Sequence, residues 1–283
     1  MLRAAIEGRA RILRETRRYF DDLGFVETDT PCRIAAPAPE PHIDCPPVAT
    51  GGWLRASPEL QMKMLLASGL ERIYQIGPCF RDGERGSRHN TEFTMLEWYR
   101  LGASSGDIEK DATGLVQTLA GLFGREEAFS PVRRISVREA YRRFAAWDPW
   151  TDWDGDRFDL DMALKIEPAI AGMGGMVFLH GYPPAAASLA KIDGDTADRW
   201  ELYACGMELA NCFGELCDTG EQTKRFEEAK ETRKTLGEAD YPLDGDFLRA
   251  VGTIPSAAGV ALGVDRLVMA LLCLDAISAA RYV

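Results

Sequence analysis

The chain has 283 residues, a length that suits one sizeable catalytic domain. Its formal net charge of -11 disfavours a large RNA-binding surface and favours cationic substrates. The seven cysteines form no Cys-x-x-Cys pair, so we expect reduced cysteines in a cytoplasmic protein rather than a zinc or disulfide framework. The sequence has no apolar run of about 20 residues and no basic-plus-apolar leader, which predicts neither a membrane span nor a signal peptide.

The first predicted element is an amphipathic helix over about residues 4–23. Ile6, Leu13 and Phe20 recur every seven residues and form one apolar stripe. The stripe predicts either packing on the chain's own sheet or contact with a second copy of the chain. The Pro-rich segment 35–41 is expected to be a loop within the same domain.

Two strands rich in aromatic and β-branched residues are predicted at 72–81 and 91–100, with a charged loop between them. They form an antiparallel hairpin. Arg81 ends the first strand and Phe93 begins the second, so a cation and an aromatic ring flank the loop. This pair would suit a phosphate and a base.

Glu208 and Glu215 lie among apolar neighbours in a predicted strand. A separation of seven residues puts them on opposite faces of a regular strand, but a bulge or turn near Gly214 would bring them to one site. Solvated charges on an exposed face are the alternative.

The segment 259–266 predicts an apolar strand that ends in small residues and leads into a helix. Gly263 would let a ligand approach the backbone, and Arg266 would lie on a purine while its charge reaches a phosphate. An ordinary strand-to-helix turn is the alternative. Further helices are predicted over about residues 104–123 and 219–236. The pattern as a whole predicts one α+β domain over 1–283, with a central antiparallel sheet flanked by helices.

These segments resemble the three signature motifs of the class II aminoacyl-tRNA synthetases. The motifs are the first helix with 25–31, the hairpin, and 259–266. Four blocks resemble the lysyl branch, namely Ser57-Pro58-Glu59, 88–90, 92–99 and 208–211. Within that branch they most resemble the free-standing ligases that attach β-lysine to a lysine of translation elongation factor P. The resemblance implies a catalytic core without the N-terminal anticodon-binding OB domain of a lysyl-tRNA synthetase.

The resemblance implies ATP-dependent activation of a lysine-like amino acid and transfer of the acyl group to an amine. Arg81 and Arg266 would be catalytic, with Arg81 on the α-phosphate and the substrate carboxylate. Phe93 and Arg266 would enclose adenine, and Arg266 would also reach the γ-phosphate. Glu208 and Glu215 would bind Mg²⁺. The remaining ATP-binding residues implied are Gly83, Glu84, Asn90, Leu209 and Gly263.

The amino-acid pocket implied by the resemblance comprises Ser57, Glu59, Tyr99, Asn211, Glu215 and Ala261. Glu59 would bind the amine near the carboxylate, while Glu215 and the Tyr99 hydroxyl would bind the distal ammonium. Glu215 thus has two implied roles, and its main role stays open. Ala261 stands where the synthetases have glycine, and its methyl would crowd an α-amino group but leave room for a β-amino group.

One position departs from the family. Gly83 stands where motif 2 normally has a glutamate, so either Glu84 substitutes or that contact is absent. The expected partners are lysine or β-lysine, elongation factor P and a second copy of the chain, because motif 1 forms the dimer contact in class II enzymes. We expect neither tRNA nor a membrane as a partner. Two other interpretations stay open: an adenylating ligase for α-lysine or another amino acid or acceptor, and a synthetase-like binding protein without catalysis.

Overall fold

The computed structural model describes residues 2–281, and within them the chain folds around a nine-stranded mixed sheet. The strands are β1 Val26–Glu27, β2 Arg33–Ile34, β3 Trp53–Leu54, β4 Arg72–Phe80, β5 Glu92–Leu101, β6 Val132–Ser136, β7 Met176–Tyr182, β8 Ile192–Asp193, β9 Thr196–Ala204, β10 Met207–Gly214 and β11 Ala257–Gly263. The order in the sheet is β1-β4-β5-β11-β10-β9-β7-β6, with β8 beside β9 and with β2 and β3 in a separate pair.

The central strands are antiparallel, as the sequence predicts. The β1–β4 and β6–β7 pairs at the two ends of the sheet are parallel, so the sheet is mixed. The predicted hairpin forms between β4 and β5, and β11 pairs with β5 on one side and β10 on the other. The strand-to-helix segment and the hairpin are therefore neighbours in the sheet. Prediction from separate segments could not show that adjacency.

The helices flank both faces of the sheet. They are α1 Leu2–Asp22, α2 Glu59–Ala67, α3 Ser105–Leu122, α4 Val137–Ala140, α5 Gly155–Asp161, α6 Glu167–Met173, α7 Thr219–Leu236, α8 Gly245–Val251, α9 Val264–Leu272 and α10 Ile277–Arg281. Short 3₁₀ or π turns lie at Glu126–Phe129, Tyr141–Ala145, Met162–Ile166 and Pro184–Ala186. The three long predicted helices are confirmed as α1, α3 and α7. Asp218 caps the start of α7, and Gly237 ends it in the left-handed conformation.

The largest hydrophobic core lies between one face of the sheet and helices α1, α3 and α9. Phe20 of α1 stacks on Tyr74 of β4 with ring centroids 4.8 Å apart, and Trp98 of β5 is fully buried beside it. The stripe predicted on α1 is not uniformly buried, since Phe20 is in the core while 52% of Ile6 is exposed. All seven cysteines are unpaired, and no helix within residues 2–281 is long and apolar enough to cross a membrane.

Asp265 joins helix α1 to the sheet. It lies in the first turn of α9 with 2% of its surface exposed, and its Oδ1 accepts a hydrogen bond from Arg9 Nη1 at 2.5 Å. Its Oδ2 accepts from the backbone N–H of Thr94 at 3.0 Å, and Arg9 Nη2 donates to Thr94 Oγ1 at 2.7 Å. The buried carboxylate therefore depends on Arg9 for its counter-charge.

We predict that Arg9→Met lowers the free energy of unfolding by about 3 kcal/mol, because Asp265 stays buried without a cation. Urea denaturation at neutral pH measures the change. Arg3→Met is the matched control, since the Arg3–Glu7 pair on the same helix is exposed and should leave the stability unchanged. Equal effects of the two substitutions would contradict a structural role for the Arg9–Asp265 pair.

Candidate active site

A cavity of about 840 Å³ lies on the face of the sheet opposite the α1, α3 and α9 core. The alternation of side chains along the central strands produces this division. In β5, Leu96 and Trp98 enter the core, while Tyr99 lines the cavity. Glu97, on the same face of β5 as Tyr99, is buried directly beside the cavity and accepts a hydrogen bond from the Tyr99 hydroxyl. In β11, Leu262 enters the core and Ala261 lines the cavity.

Gly259 leaves space for the side chains of Tyr99 and Glu215 against the cavity face of the sheet. A Cβ at this position would lie 2.1 Å from the Tyr99 ring and 2.9 Å from Glu215 Oε1, distances that no side chain could accept. Ala261, two residues further along β11, pairs with Glu97 of β5 and Asn211 of β10. The methyl of Ala261 therefore enters the cavity between strands that carry a carboxylate and an amide.

A buried ion-pair network occupies the floor of the cavity. Lys63 of α2 donates to Glu59 Oε1 at 2.5 Å and forms a second short ion pair with Glu215. The side chains of Lys63 and Glu215 are 1% and 2% exposed. Burial raises the pKa of Glu215 to about 8, against the opposing charge of Lys63. Burial alone would lower the pKa of Lys63, but the charges of Glu215 and Glu59 outweigh it and raise that pKa.

Glu97 is fully buried next to this network and forms no ion pair within residues 2–281, although the charge of Arg55 acts to lower its pKa. It accepts hydrogen bonds from Ser57 Oγ at 2.6 Å and from the Tyr99 hydroxyl at 2.8 Å. Burial and the charge of Glu59 raise the pKa of Glu97 to about 7, although both hydrogen bonds oppose that shift. The carboxyl group of Glu97 therefore lies next to four of the residues predicted to form the amino-acid pocket, namely Ser57, Glu59, Tyr99 and Glu215.

The two predicted arginines lie in a second part of the cavity. The Arg81 guanidinium lies 5.3 Å from the centre of the Phe93 ring, and Arg81 pairs with Glu84 at 3.5 Å. Gly83 forms a left-handed turn with φ of +74°, and the next residue, Glu84, supplies the carboxylate beside Arg81. Glu84 thus occupies the neighbourhood in which the usual motif 2 glutamate was expected.

Arg266 contacts protein groups on two sides. Its Nη1 donates to Glu208 Oε2 at 3.1 Å and to the Glu208 carbonyl at 2.9 Å, and its Nη2 lies 2.5 Å from the His89 ring. A Cβ at Gly263 would meet Arg266 at 3.8 Å, an ordinary contact. The protein itself therefore does not require glycine at 263, and close approach of a nucleotide there stays a prediction.

Glu208 and Glu215 line one cavity but face different partners. A bulge brings them to the same side of β10, and it lies between Glu208 and Ala210 rather than near Gly214. The charge that acts most strongly on Glu208 is that of Glu201 in β9, and burial together with this charge raises the pKa of Glu208. Glu215 is instead paired with Lys63. No cluster of three or more His, Cys, Asp or Glu suited to a metal occurs in the described range 2–281.

Three more predicted residues line the cavity. The Asn90 Nδ2 is buried without a partner in the part of the chain that the structure describes, whereas Asn211 accepts from Arg199 Nε at 3.2 Å. The side chain of Leu209 is buried in the core, so only its backbone is left for the predicted ATP contact.

This fold and these motifs match a known family. The family model described as class II tRNA synthetases (D, K and N) matches residues 1–282. The chain belongs to the class II tRNA synthetases. The family and fold predicted from the sequence motifs are thereby confirmed.

Within the class II tRNA synthetases, the chain is similar to proteins named elongation factor P–(R)-β-lysine ligase. The protein of Proteus mirabilis is 35% identical over 306 residues, which cover 95% of this chain and 91% of the relative. The protein of Photorhabdus laumondii is 36% identical over 305 residues, with the same coverage. That of Salmonella paratyphi B is 35% identical over 296 residues, covering 92% of this chain and 89% of the relative.

Lys63, Glu97 and Glu201 are not among the site residues that the sequence motifs of this class II synthetase predict. Lys63 follows Glu59 by four residues, the spacing of an ion pair along a helix, and Glu97 precedes Tyr99 by two, the spacing of one strand face. The sequence therefore contains a spacing from which Lys63 and Glu97 could have been predicted. No such spacing predicts Glu201, because its position beside Glu208 depends on the β9–β10 pairing and the bulge in that pairing.

The raised pKa of Glu97 predicts a pH-dependent cost to folding. Its ordinary pKa is 4.5 and its folded pKa is about 7, so stability is lost as the pH rises through that window. Glu97→Gln cannot ionise. We therefore expect the stability of Glu97→Gln relative to the parent to rise by about 3 kcal/mol from pH 4.5 to pH 8.

Chemical denaturation at a series of pH values measures this difference. Glu7→Gln, which neutralises an exposed carboxylate on α1, is the control and should follow the parent at every pH. A constant difference between Glu97→Gln and the parent would show that Glu97 does not titrate in this window.

Proposed function

We propose that the chain activates a lysine-like diamino acid, (R)-β-lysine, with ATP and transfers it to a lysine of elongation factor P. The observation that carries this proposal is a pocket with three neighbouring carboxyl groups in a cavity that Arg81 also lines. Glu59 and Glu215 line this pocket, and Glu97 is buried directly behind Ser57 and Tyr99. Such a pocket suits a substrate with two ammonium groups and one carboxylate. The names of the similar proteins supply the acceptor and the stereochemistry.

The reaction has two steps. A carboxylate oxygen of the amino acid attacks the α-phosphorus of ATP, the bond to the β-phosphate oxygen breaks, and pyrophosphate leaves. The neutral amine of the acceptor lysine then attacks the acyl carbon, the bond to AMP breaks, and the nitrogen loses a proton. Arg81 would align the α-phosphate with the substrate carboxylate, and Phe93 would support the adenine. Arg266 would exchange its contact with His89 for adenine and the outer phosphates.

The carboxylates Glu208 and Glu201 fit a Mg²⁺ ion that binds together with ATP. Burial and the charge of Glu201 raise the pKa of Glu208, and a hard cation bound by both carboxylates would offset the repulsion between them. The metal would neutralise charge on the departing pyrophosphate. For Glu215, its place beside the Tyr99 ring, where Gly259 leaves space for both, supports the second implied role, binding of the distal ammonium.

We further propose a homodimer that works in the cytoplasm, with a protein lysine rather than tRNA as acceptor. Exposed apolar side chains around α1 and β1 support the dimer, namely Leu2, Ile6, Leu23 and Val26. The seven unpaired cysteines support a reducing compartment.

The proposed function predicts that the chain exchanges labelled pyrophosphate into ATP only when a diamino acid is present. It also predicts that elongation factor P gains the mass of one β-lysyl group when incubated with chain, ATP and β-lysine. Glu215→Gln should lower kcat/KM for the diamino acid by at least about 100-fold, because one partner of a buried charge pair is lost. Exchange with another class of amino acid, or modification of lysine tRNA instead, would overturn the proposal.

Ala261→Gly tests the choice between α- and β-lysine. Removing the methyl opens space beside Glu97, so we predict that the preference for β-lysine narrows by about 10-fold or more, mainly through better use of α-lysine. The ratio of the two kcat/KM values measures it. Ala258→Gly removes a methyl from the core side of the same strand and is the control. If Ala261→Gly and the parent have the same ratio of kcat/KM for β-lysine to kcat/KM for α-lysine, Ala261 does not select the substrate.

A further inference from the structure

Glu40 is a half-buried carboxylate of the cavity wall that has no partner of its own. Within residues 2–281 its carboxylate forms neither a hydrogen bond nor an ion pair. Asp156 and Asp159 also lack partners there, but they are exposed at the rim of the cavity. A charged group that is half-buried and unpaired lowers the stability of the fold.

The other buried and half-buried carboxylates that line or adjoin the cavity already have hydrogen-bond or ion-pair partners. Glu59 and Glu215 are paired with Lys63, Glu97 accepts from Ser57 and Tyr99, Glu84 pairs with Arg81, Glu201 with Arg199, and Glu208 with Arg266. Glu40 therefore stands apart as an inner carboxylate with its full hydrogen-bonding capacity left for a ligand.

The backbone around Glu40 is held firmly in place. Prolines at 39 and 41 fix the chain on both sides of it. Arg233 of α7 donates through Nη1 to the carbonyls of Glu40 at 2.8 Å and Ile43 at 3.0 Å, and it stacks 4.2 Å from the centre of the Tyr241 ring. The unpaired carboxylate thus projects from a rigid support, the arrangement expected of a preorganised binding group.

Glu40 lines the same cavity as Glu59 of the amino-acid pocket and Arg81 of the second part. Burial and the charge of Glu59 raise the pKa of Glu40, and the charges of Arg81, Arg199 and Lys63 oppose that shift. Under the proposed function, the substrate carboxylate is at Arg81 and the distal ammonium is in the amino-acid pocket. The substrate amino group nearest the carboxylate then falls between them, beside Glu40.

We propose that Glu40 binds the substrate amino group nearest the carboxylate and is a specificity-determining residue. The inference rests on the proposed function and deepens it. The resemblance implied Glu59 for this role, but Glu59 already shares one oxygen with Lys63. An ammonium between Glu40 and Glu59 would give Glu40 its missing partner and offset the repulsion between the two carboxylates.

The test combines Glu40→Gln with a substrate analogue. 6-Aminohexanoate keeps the carboxylate and the distal ammonium of β-lysine but lacks the nearer amino group. We expect Glu40→Gln to lower kcat/KM for β-lysine in pyrophosphate exchange by at least about 30-fold. The inhibition constant of 6-aminohexanoate and the KM for ATP should stay unchanged within error. Asp156→Asn, which neutralises an exposed carboxylate at the rim, is the matched control and should behave as the parent.

The melting temperature separates this role from damage to the fold. Glu40→Gln removes an unpaired charge, so its melting temperature should equal or exceed that of the parent. Two results would overturn this inference and leave the proposed function intact. In the first, the parent is active and Glu40→Gln has the same kcat/KM for β-lysine. In the second, Glu40→Gln weakens the binding of 6-aminohexanoate as much as it lowers kcat/KM for β-lysine. A parent chain that activates no diamino acid would overturn the proposed function and this inference with it.

Discussion

The ion pairs of Lys63 with Glu59 and Glu215 are the interactions on which the cavity depends. Moving isolated charges out of water costs several kcal/mol per ion, and one lysine can offset only part of the charge of its neighbours. Glu97 is hydrogen-bonded but forms no ion pair, and Glu40 has no hydrogen-bond or ion-pair partner in the described chain. The amino-acid pocket therefore has more carboxyl groups than cations, and the ammonium groups of a diamino acid would stabilise the ionised form of those carboxyl groups.

The packing of the sheet fixes the positions of the side chains around the pocket. Along β5 the large side chains of Leu96 and Trp98 are fixed in the core, so Glu97 and Tyr99 between and beside them have little freedom on the cavity side. Gly259 in the adjacent strand leaves space for Tyr99 and Glu215 at the same point. The packing that stabilises the fold thus also orients the groups that would bind the substrate.

Local signals predicted the fold and many of the cavity residues. The hairpin, the long helices and the segment that carries Arg266 each have a strong pattern of their own, and their structures agree with it. Contacts that depend on strand pairing were not predictable in this way. The bulge after Glu208 and the proximity of Glu201 depend on the register between the adjacent strands β9 and β10. The ion pair between Lys63 and Glu215 joins segments far apart in sequence. No periodicity within one segment indicates either of these contacts.

The most direct test of the anionic pocket is the affinity of two non-reacting adenylate analogues, measured by calorimetry. One carries a β-lysyl group, and the other is identical except that a methyl group replaces the distal ammonium. If the buried carboxylates recognise that ammonium, the methyl analogue should bind at least about 100-fold more weakly. Affinities within about threefold of each other would contradict recognition of a diamino acid by this pocket.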